Sequence, residues 1–148
     1  MCILNTIEND SIKKLSGLGK SSPMIAFCLA ISMVALSEAF TLAEKLGLDK
    51  KKLFQISSEG SGMSWAMLNH LPVADIIETA AANNNFKAGF SANMMLKDLK
   101  LAQSAAKSVD FDSPVGSLTQ SLYEKFIESG GGTLDYSAII KLINGTYK

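Results

Sequence analysis

The chain has 148 residues, enough to bury one sizeable core and too few for two. Its fourteen basic and fourteen acidic residues cancel, and no Lys- or Arg-rich block gathers charge, so sequence-independent binding to nucleic acid or anionic lipid is not expected. Two cysteines, Cys2 and Cys28, make no disulfide framework and fit a reducing, cytoplasmic setting, while a single histidine, His70, excludes a histidine-built metal centre.

Residues 1–16 read as an irregular N-terminal segment. "MCILNTIENDSIKK" carries Glu8 and Asp10 where an export leader is basic and acid-poor, so no leader is expected. Gly19, Lys20 and Ser21 copy the end of a phosphate-binding loop, but the first glycine of that motif should stand at position 14, where Lys14 is found. Gly17 and Gly19 fail equally as a dinucleotide fingerprint, because Ser22 replaces the third glycine. The stretch reads instead as a helix entry, with Ser21 or Ser22 as N-cap and Pro23 in the first turn. A long helix follows and stops at Gly47, a residue suited to a left-handed cap. Residues 21–37 carry no charge, yet the run falls short of the ~20 apolar residues of a membrane span and continues into an amphipathic helix, so no span is expected. Being apolar nearly all round in its first half, this helix has to be enclosed by other helices or by a second subunit, with Cys28 as a small buried hydrophobe.

Asp49 offers an N-cap for a short helix in "LDKKKLFQISS", and "SWAMLNHLP" a third helix that stops before Pro72. Residues 72–89 have neither helical nor strand periodicity and read as a long ordered loop, a feature often tied to function. Helices are expected from Ser91 to Ser108, from Pro114 to Ser129 after a Ser113 cap, and from Asp135 to Ile143, with "SGGG" at 129–132 as a flexible break. Strand signals are nearly absent, so the fold class is all-α: a helical bundle around one long central helix.

The best chemical signal lies in "KAGFSANMMLKDLKLAQSAAKS". Phe90, Met94, Lys97 and Leu101 fall along one helical stripe, so Lys97 interrupts an apolar line. Two readings stay open: a lysine whose stem packs while its amine reaches water or pairs with a carboxylate, or one presented at a ligand cleft with Asp98 beside it. Gly89 just ahead would permit a turn that other residues resist. His70 is a weak candidate for a lone general base, Trp65 reads as a core or interface anchor, and the seven methionines read as packing.

These residues match a family. From about Gly17 to Ile143 the chain resembles the C-terminal helical domain of 3-hydroxyisobutyrate dehydrogenase and its β-hydroxyacid dehydrogenase relatives, whose fold is that of the 6-phosphogluconate dehydrogenase C-terminal domain. "AISMVALSEAFTLAEKLGLD" is similar to their interdomain helix, "NNNFKAGFSANMMLKDLKLA" to their loop and helix, and "SPVGSLTQSLYEKFIESGGGTLDYSAII" to their closing helices. The resemblance implies an NAD-dependent oxidoreductase framework for small 3-hydroxy acids. It also implies Phe90, Lys97 and Asp98 as cofactor-cleft residues, and either a homodimer or a separate Rossmann-domain chain as partner. Two departures stand out. Residues 17–148 account for the helical domain alone, with no Rossmann domain among them. The family's interdomain helix also begins G-x-G-x-x-x-K-x-x-N-N, its lysine serving as general acid/base. Counting from either side puts Ser22 or Pro23 at that lysine and finds Ile25, Ala26 or Phe27 in place of the asparagines. The expectation is therefore a helical dimerisation and cleft domain that is truncated, lacks its catalytic lysine and is inactive alone. A non-enzymatic interaction domain is the alternative.

Overall fold

A computed structural model describes the backbone of residues 18–147 and the side chains of residues 22–147. The irregular segment expected at 1–16 and Cys2 lie outside those residues, whereas Ser21 falls within the first helix rather than capping it. The long helix, α1, spans Leu18–Lys45 and so begins ahead of the expected Ser22 cap, with Pro23 inside it and buried. So near the N-terminus a proline removes only the bond to the Gly19 carbonyl, next to a turn whose first four N–H groups have no helical acceptor in any case. At the other end Gly47 adopts φ +75°, as expected of a left-handed stop. Its N–H donates to the Glu44 carbonyl at 3.0 Å and that of Leu48 to the Ala43 carbonyl at 2.9 Å.

One side of α1 is the spine of the core. Ala26, Ala30, Met33, Ser37 and Phe40 recur every three or four residues and are all buried. Met24, Ile25 and Leu42 stay exposed. Cys28 is exposed with them rather than buried as expected, because it stands one helical turn after Met24 on the outward side. Residues 22–45 have the length and hydropathy of a membrane-crossing helix, but 44% of the apolar window is buried within the bundle, as befits a central helix.

α2, Lys50–Glu59, starts where the Asp49 carboxylate accepts the Lys52 N–H at 2.8 Å. That bond holds the Asp49 carboxyl below its usual range. α3, Trp65–His70, is capped by Ser64, whose hydroxyl accepts the Met67 N–H at 3.2 Å, and ends before Pro72 as expected. The 72–89 loop, expected to be ordered, contains a 3₁₀ turn over Ala81–Asn84. Asn83 closes it: its side chain accepts the Asp75 N–H at 2.8 Å and donates to the carbonyls of Ile77 and Glu78 at 2.8 and 3.0 Å. An asparagine amide thus supplies the partners that a sheet or helix would otherwise give these backbone groups.

α4, Ala92–Lys107, is capped by Ser91 through the Met94 N–H. α5, Pro114–Glu128, carries Pro114 in its first turn, but Ser113 does not cap it; the Ser113 hydroxyl donates instead to Gln103 Oε1 at 2.8 Å, tying α5 to α4. The "SGGG" break is a packed corner. Gly131–Thr133 form a 3₁₀ turn, and a Cβ on Gly131 would meet the Phe126 ring and one on Gly132 the Asn93 side chain. The last segment, expected as one helix from Asp135, is a 3₁₀ turn, Tyr136–Ile139, capped by Asp135 and running into a short helix α6, Ile140–Ile143.

α4, α5, α6 and the Tyr136–Ile139 turn pack on α1, with Met33, Phe40, Leu71, Met95, Tyr123 and Phe126 in the shared core. Among the described residues the only extended pairings are two isolated bridges, Lys87 to Leu134 and Ser91 to Asp135. The architecture is the all-α bundle around one long helix that the periodicity predicts.

Candidate functional site

α4 divides into two faces. Ala92, Met95, Leu99 and Ala102 turn inward, whereas Met94 and Leu101 are 43% and 50% exposed. The predicted stripe of Phe90, Met94, Lys97 and Leu101 therefore splits, because Phe90 precedes the helix and is buried against the edge of the Tyr136 ring, 5.9 Å between centroids. Lys97 and Asp98 are brought together. Lys97 Nζ lies 3.2 Å from Asp98 Oδ1, with the lysine side chain 65% exposed and the aspartate 9%. A carboxylate this shielded keeps the amine at the surface without exposing its own acceptors. Lys97 is thus ion-paired and presented at the surface.

Around it Asn93, Leu96, Lys97, Lys100 and Leu101 line a shallow cavity of about 430 Å³. Its two lysines and one amide suit an anionic or carbonyl-bearing ligand, and its leucines suit a flat apolar body. Lys100 also reaches Glu124 Oε1 at 3.3 Å, which fixes the rim to α5. Phe90 does not line this cavity. At the start of α1, Ser22 is half-buried and Pro23 buried, and neither side chain can exchange a proton as a lysine would. Among the described residues no three His, Cys, Asp or Glu side chains gather as a metal site.

Behind the face stands a cluster whose central acid, Asp135, was expected only as the first residue of the last helix. Asp135 is 2% exposed. Its Oδ1 accepts the Ser137 N–H at 3.1 Å and the Ser137 hydroxyl at 2.6 Å, and its Oδ2 accepts the N–H groups of Gly89 and Phe90 at 3.2 and 3.4 Å. Gly89 does not take a left-handed turn as expected; that conformation falls to Asn85 and Phe86, φ 49° and 56°. What Gly89 contributes is its N–H. The Tyr136 N–H donates to the Phe90 carbonyl at 2.9 Å, and the Tyr123 hydroxyl to the Tyr136 carbonyl at 3.0 Å. The entry to α4 is thereby bolted to the last turn of the chain. The "DYS" spacing in the sequence, an Asx-type turn, is the signal that points to Asp135.

Trp65 is half-exposed rather than a core anchor, and it stacks on His70 with centroids 5.1 Å apart and ring planes at 29°. His70 in turn faces Tyr136 at 5.7 Å. The Tyr136 hydroxyl is buried with no hydrogen-bond partner among the described residues, and burial pushes its phenol far above the ordinary range. Burial likewise lowers the His70 pKa, against the opposing pull of the Asp135 charge. With the folded-state pKa below the unfolded value of about 6.5, the unfolded chain binds the proton more readily. The stabilisation is then complete above about pH 6.5 and drains away as pH falls through the folded-state pKa. His70→Gln is expected to flatten this part of the pH profile of the unfolding midpoint between pH 7 and 5, measured by circular dichroism; an unchanged slope would contradict it.

Residues 24–143 match the family model described as the NAD-binding region of NADP-dependent 3-hydroxyisobutyrate dehydrogenase. A probable 3-hydroxyisobutyrate dehydrogenase of Mycobacterium tuberculosis is 42% identical over 112 residues, 76% of this chain and 38% of the relative. An NAD-dependent L-serine dehydrogenase of Pseudomonas aeruginosa is 37% identical over 118 residues, covering 80% of this chain and 40% of its own length. A solved Mycobacterium tuberculosis 3-hydroxyisobutyrate dehydrogenase, described with L-serine, superposes with a TM-score of 0.80 at 38% identity over 83% of this chain and 42% of that one. The chain thus spans about two-fifths of the length of the curated relatives it matches.

Proposed function

We propose a function from the premise that this chain belongs to the 3-hydroxyisobutyrate dehydrogenase family, as its helical C-terminal domain. In this reading the outer face of α4 closes one side of a nicotinamide-dinucleotide cleft whose other side is a Rossmann domain, carried on the same polypeptide or on a separate one. The observation that carries the reading is Lys97, exposed beside a buried Asp98 over a cavity with Asn93 and Lys100 on its rim. Those donors fit the amide and phosphate oxygens of a dinucleotide, and the leucines fit its flat ring. The dinucleotide, when bound, supplies the hydride acceptor or donor for a small 3-hydroxy acid.

The chain's own residues do the rest. Lys97 and Lys100 attract and orient the anionic cofactor, Leu96 and Leu101 exclude water from its face, and Asp98 holds the Lys97 amine in place. Phe90 supports the site from beneath through Tyr136. Neither Ser22 nor Pro23 can take the proton of a substrate hydroxyl, so the domain by itself binds dinucleotide weakly and does not turn over. Titrating NADH into the purified chain, alone and mixed with the Rossmann half of the Mycobacterium tuberculosis relative, tests this by fluorescence. Saturable binding is expected only in the mixture, weakened about tenfold by Lys97→Ala, in line with the loss of a charge-assisted contact. Tight NADH binding by the chain alone, or its oxidation of 3-hydroxyisobutyrate with NAD+ as hydride acceptor, would refute it.

A second reading, a helical interaction domain that pairs as a homodimer, draws on the exposed apolar side of α1. Met24 and Ile25 are 41% and 47% exposed and Leu42 is 58% exposed. An apolar groove of about 640 Å³ opens beside the start of α1, walled by Phe27, Leu101 and Phe111. Indifference of the mixture to Lys97→Ala would favour this role.

A further inference from the structure

At the opposite end of α1, roughly 25 Å from Pro23 at ~1.5 Å per residue, an open cavity of about 270 Å³ lies between α1, α2, the 72–86 loop and the end of the chain. At ~30 Å³ per water it has room for about nine waters. Phe40, Val73, Phe86 and Ile140 make its walls apolar, and Glu44, Lys50, Lys141, Asn144 and Thr146 make its rim polar. The cleft face of α4 contributes nothing to it.

The rim carries one positive charge in excess. Lys50 is spent on Glu44, Nζ to Oε1 2.9 Å. Lys141 has no carboxylate partner among the described residues; its Nζ stands 5.0 Å from the centre of the Phe86 ring. That contact stabilises the ammonium without consuming its three N–H donors. Asn144 is oriented beside it, because its Oδ1 accepts both the Thr146 N–H at 3.0 Å and the Thr146 hydroxyl at 2.6 Å. Its amide NH₂ makes no hydrogen bond among the described residues, so two donors adjoin the free ammonium. The nearby carbonyls do not compete for them: that of Lys141 is taken by the Tyr147 N–H at 2.9 Å and that of Ile140 by the Asn144 N–H at 2.8 Å.

Phe86 is also held in a conformation that a bulky residue avoids, φ 56°, by its N–H to the Ala81 carbonyl at 2.8 Å and its carbonyl to the Asp135 N–H at 2.9 Å. The effect is to present the ring as one wall of the cavity and as the seat of the Lys141 amine. We propose that this cavity is a binding site for a small aliphatic monocarboxylate, its carboxylate on Lys141 and Asn144 and its hydrocarbon body against Phe40, Val73 and Ile140. The site is separate from the dinucleotide cleft and needs no cofactor.

The test is a titration of the isotope-labelled full chain with sodium butyrate, n-butanol or n-butylamine at constant ionic strength, followed by amide chemical shifts. Butyrate is expected to give saturable shifts centred on Val73, Phe86, Lys141 and Thr146, while the alcohol and the amine bind at least about tenfold more weakly. Lys141→Met keeps the stem over Phe86 and is expected to weaken butyrate about tenfold, with Lys141→Arg restoring most of the affinity. Asn144→Asp, which sets a like charge against the carboxylate, gives the same direction should Lys141→Met disturb folding. Equal binding of butanol and butyrate, shifts scattered over the surface, or indifference to both Lys141→Met and Asn144→Asp would overturn the assignment.

Discussion

Asp135→Ala is expected to lower the unfolding midpoint by about 6–20 °C. The carboxylate is buried and accepts four hydrogen bonds, two from Ser137 and two from the backbone of Gly89 and Phe90. Hydrogen bonds to a charged group contribute about 1.5–3 kcal/mol each, and a buried donor left without a partner costs about 1–3 kcal/mol. Three of the four donors are backbone N–H groups that cannot turn away. Allowing for partial relaxation and water entry, a net loss of about 3–5 kcal/mol follows, and for a chain of this size each kcal/mol moves the midpoint by about 2–4 °C. Asp135→Asn keeps one acceptor oxygen but turns an NH₂ toward two N–H groups, so it should fall between wild type and alanine. A thermal melt of the three proteins by circular dichroism decides it, and an alanine variant within about 2 °C of wild type would show that the bolt contributes little. Because the Gly89 and Phe90 N–H groups lead directly into α4, the same variant should loosen the cavity at Lys97 before the chain unfolds, visible as faster amide exchange at residues 89–95.

That coupling also marks the boundary of what could be read in the sequence. The bundle was legible because its helices carry local signals: serine or aspartate caps at Asp49, Ser64 and Ser91, the Gly47 stop, and three-to-four spacing of apolar residues along α1 and α4. The start of α1 was misplaced because Pro23 reads as a first-turn residue, while a proline a turn further in costs only one bond. The turn within the 72–89 loop, expected only to be ordered, and the packing of the glycine corner at 129–132 were opaque for another reason. Their order comes from contacts distant in sequence, such as Asp135 to Gly89, or from one amide, Asn83, serving three backbone groups. Local composition does not encode such partners. At the cleft, the sequence singled out Lys97 because it interrupts an apolar stripe, but helical spacing alone could not show that Phe90, outside α4, sits a layer deeper. The cavity under Lys141 had no signature at all, since its walls come from three separate stretches of chain.

The largest expected effect on activity concerns the start of α1. Joined to the Rossmann half of the Mycobacterium tuberculosis relative, the chain should bind NADH but oxidise 3-hydroxyisobutyrate or L-serine, with NAD+ as hydride acceptor, at a rate about 10²–10⁴-fold below that of the intact relative, the range a positioned general acid/base supplies. On the proposed reading binding survives, because Lys97, Lys100 and Asn93 carry it. The chemical step fails because hydride can leave the substrate carbon only as the hydroxyl gives up its proton, and neither Ser22 nor Pro23 can receive it. Ser22 is half-buried in the second turn of the helix, and partial burial there would lower the pKa of a lysine, which suits a base. Ser22→Lys is therefore expected to raise kcat at least about tenfold with little change in NADH affinity, and Pro23→Lys to do the same if the helix register places that residue toward the cleft. Lys97→Ala should act in the opposite way, raising the KM for dinucleotide while changing kcat little, because it removes binding and leaves the proton transfer untouched. If the unmodified chimera turns over at the rate of the relative, a group elsewhere on this chain carries the proton, and His70, stacked between Trp65 and Tyr136, becomes the residue to substitute first.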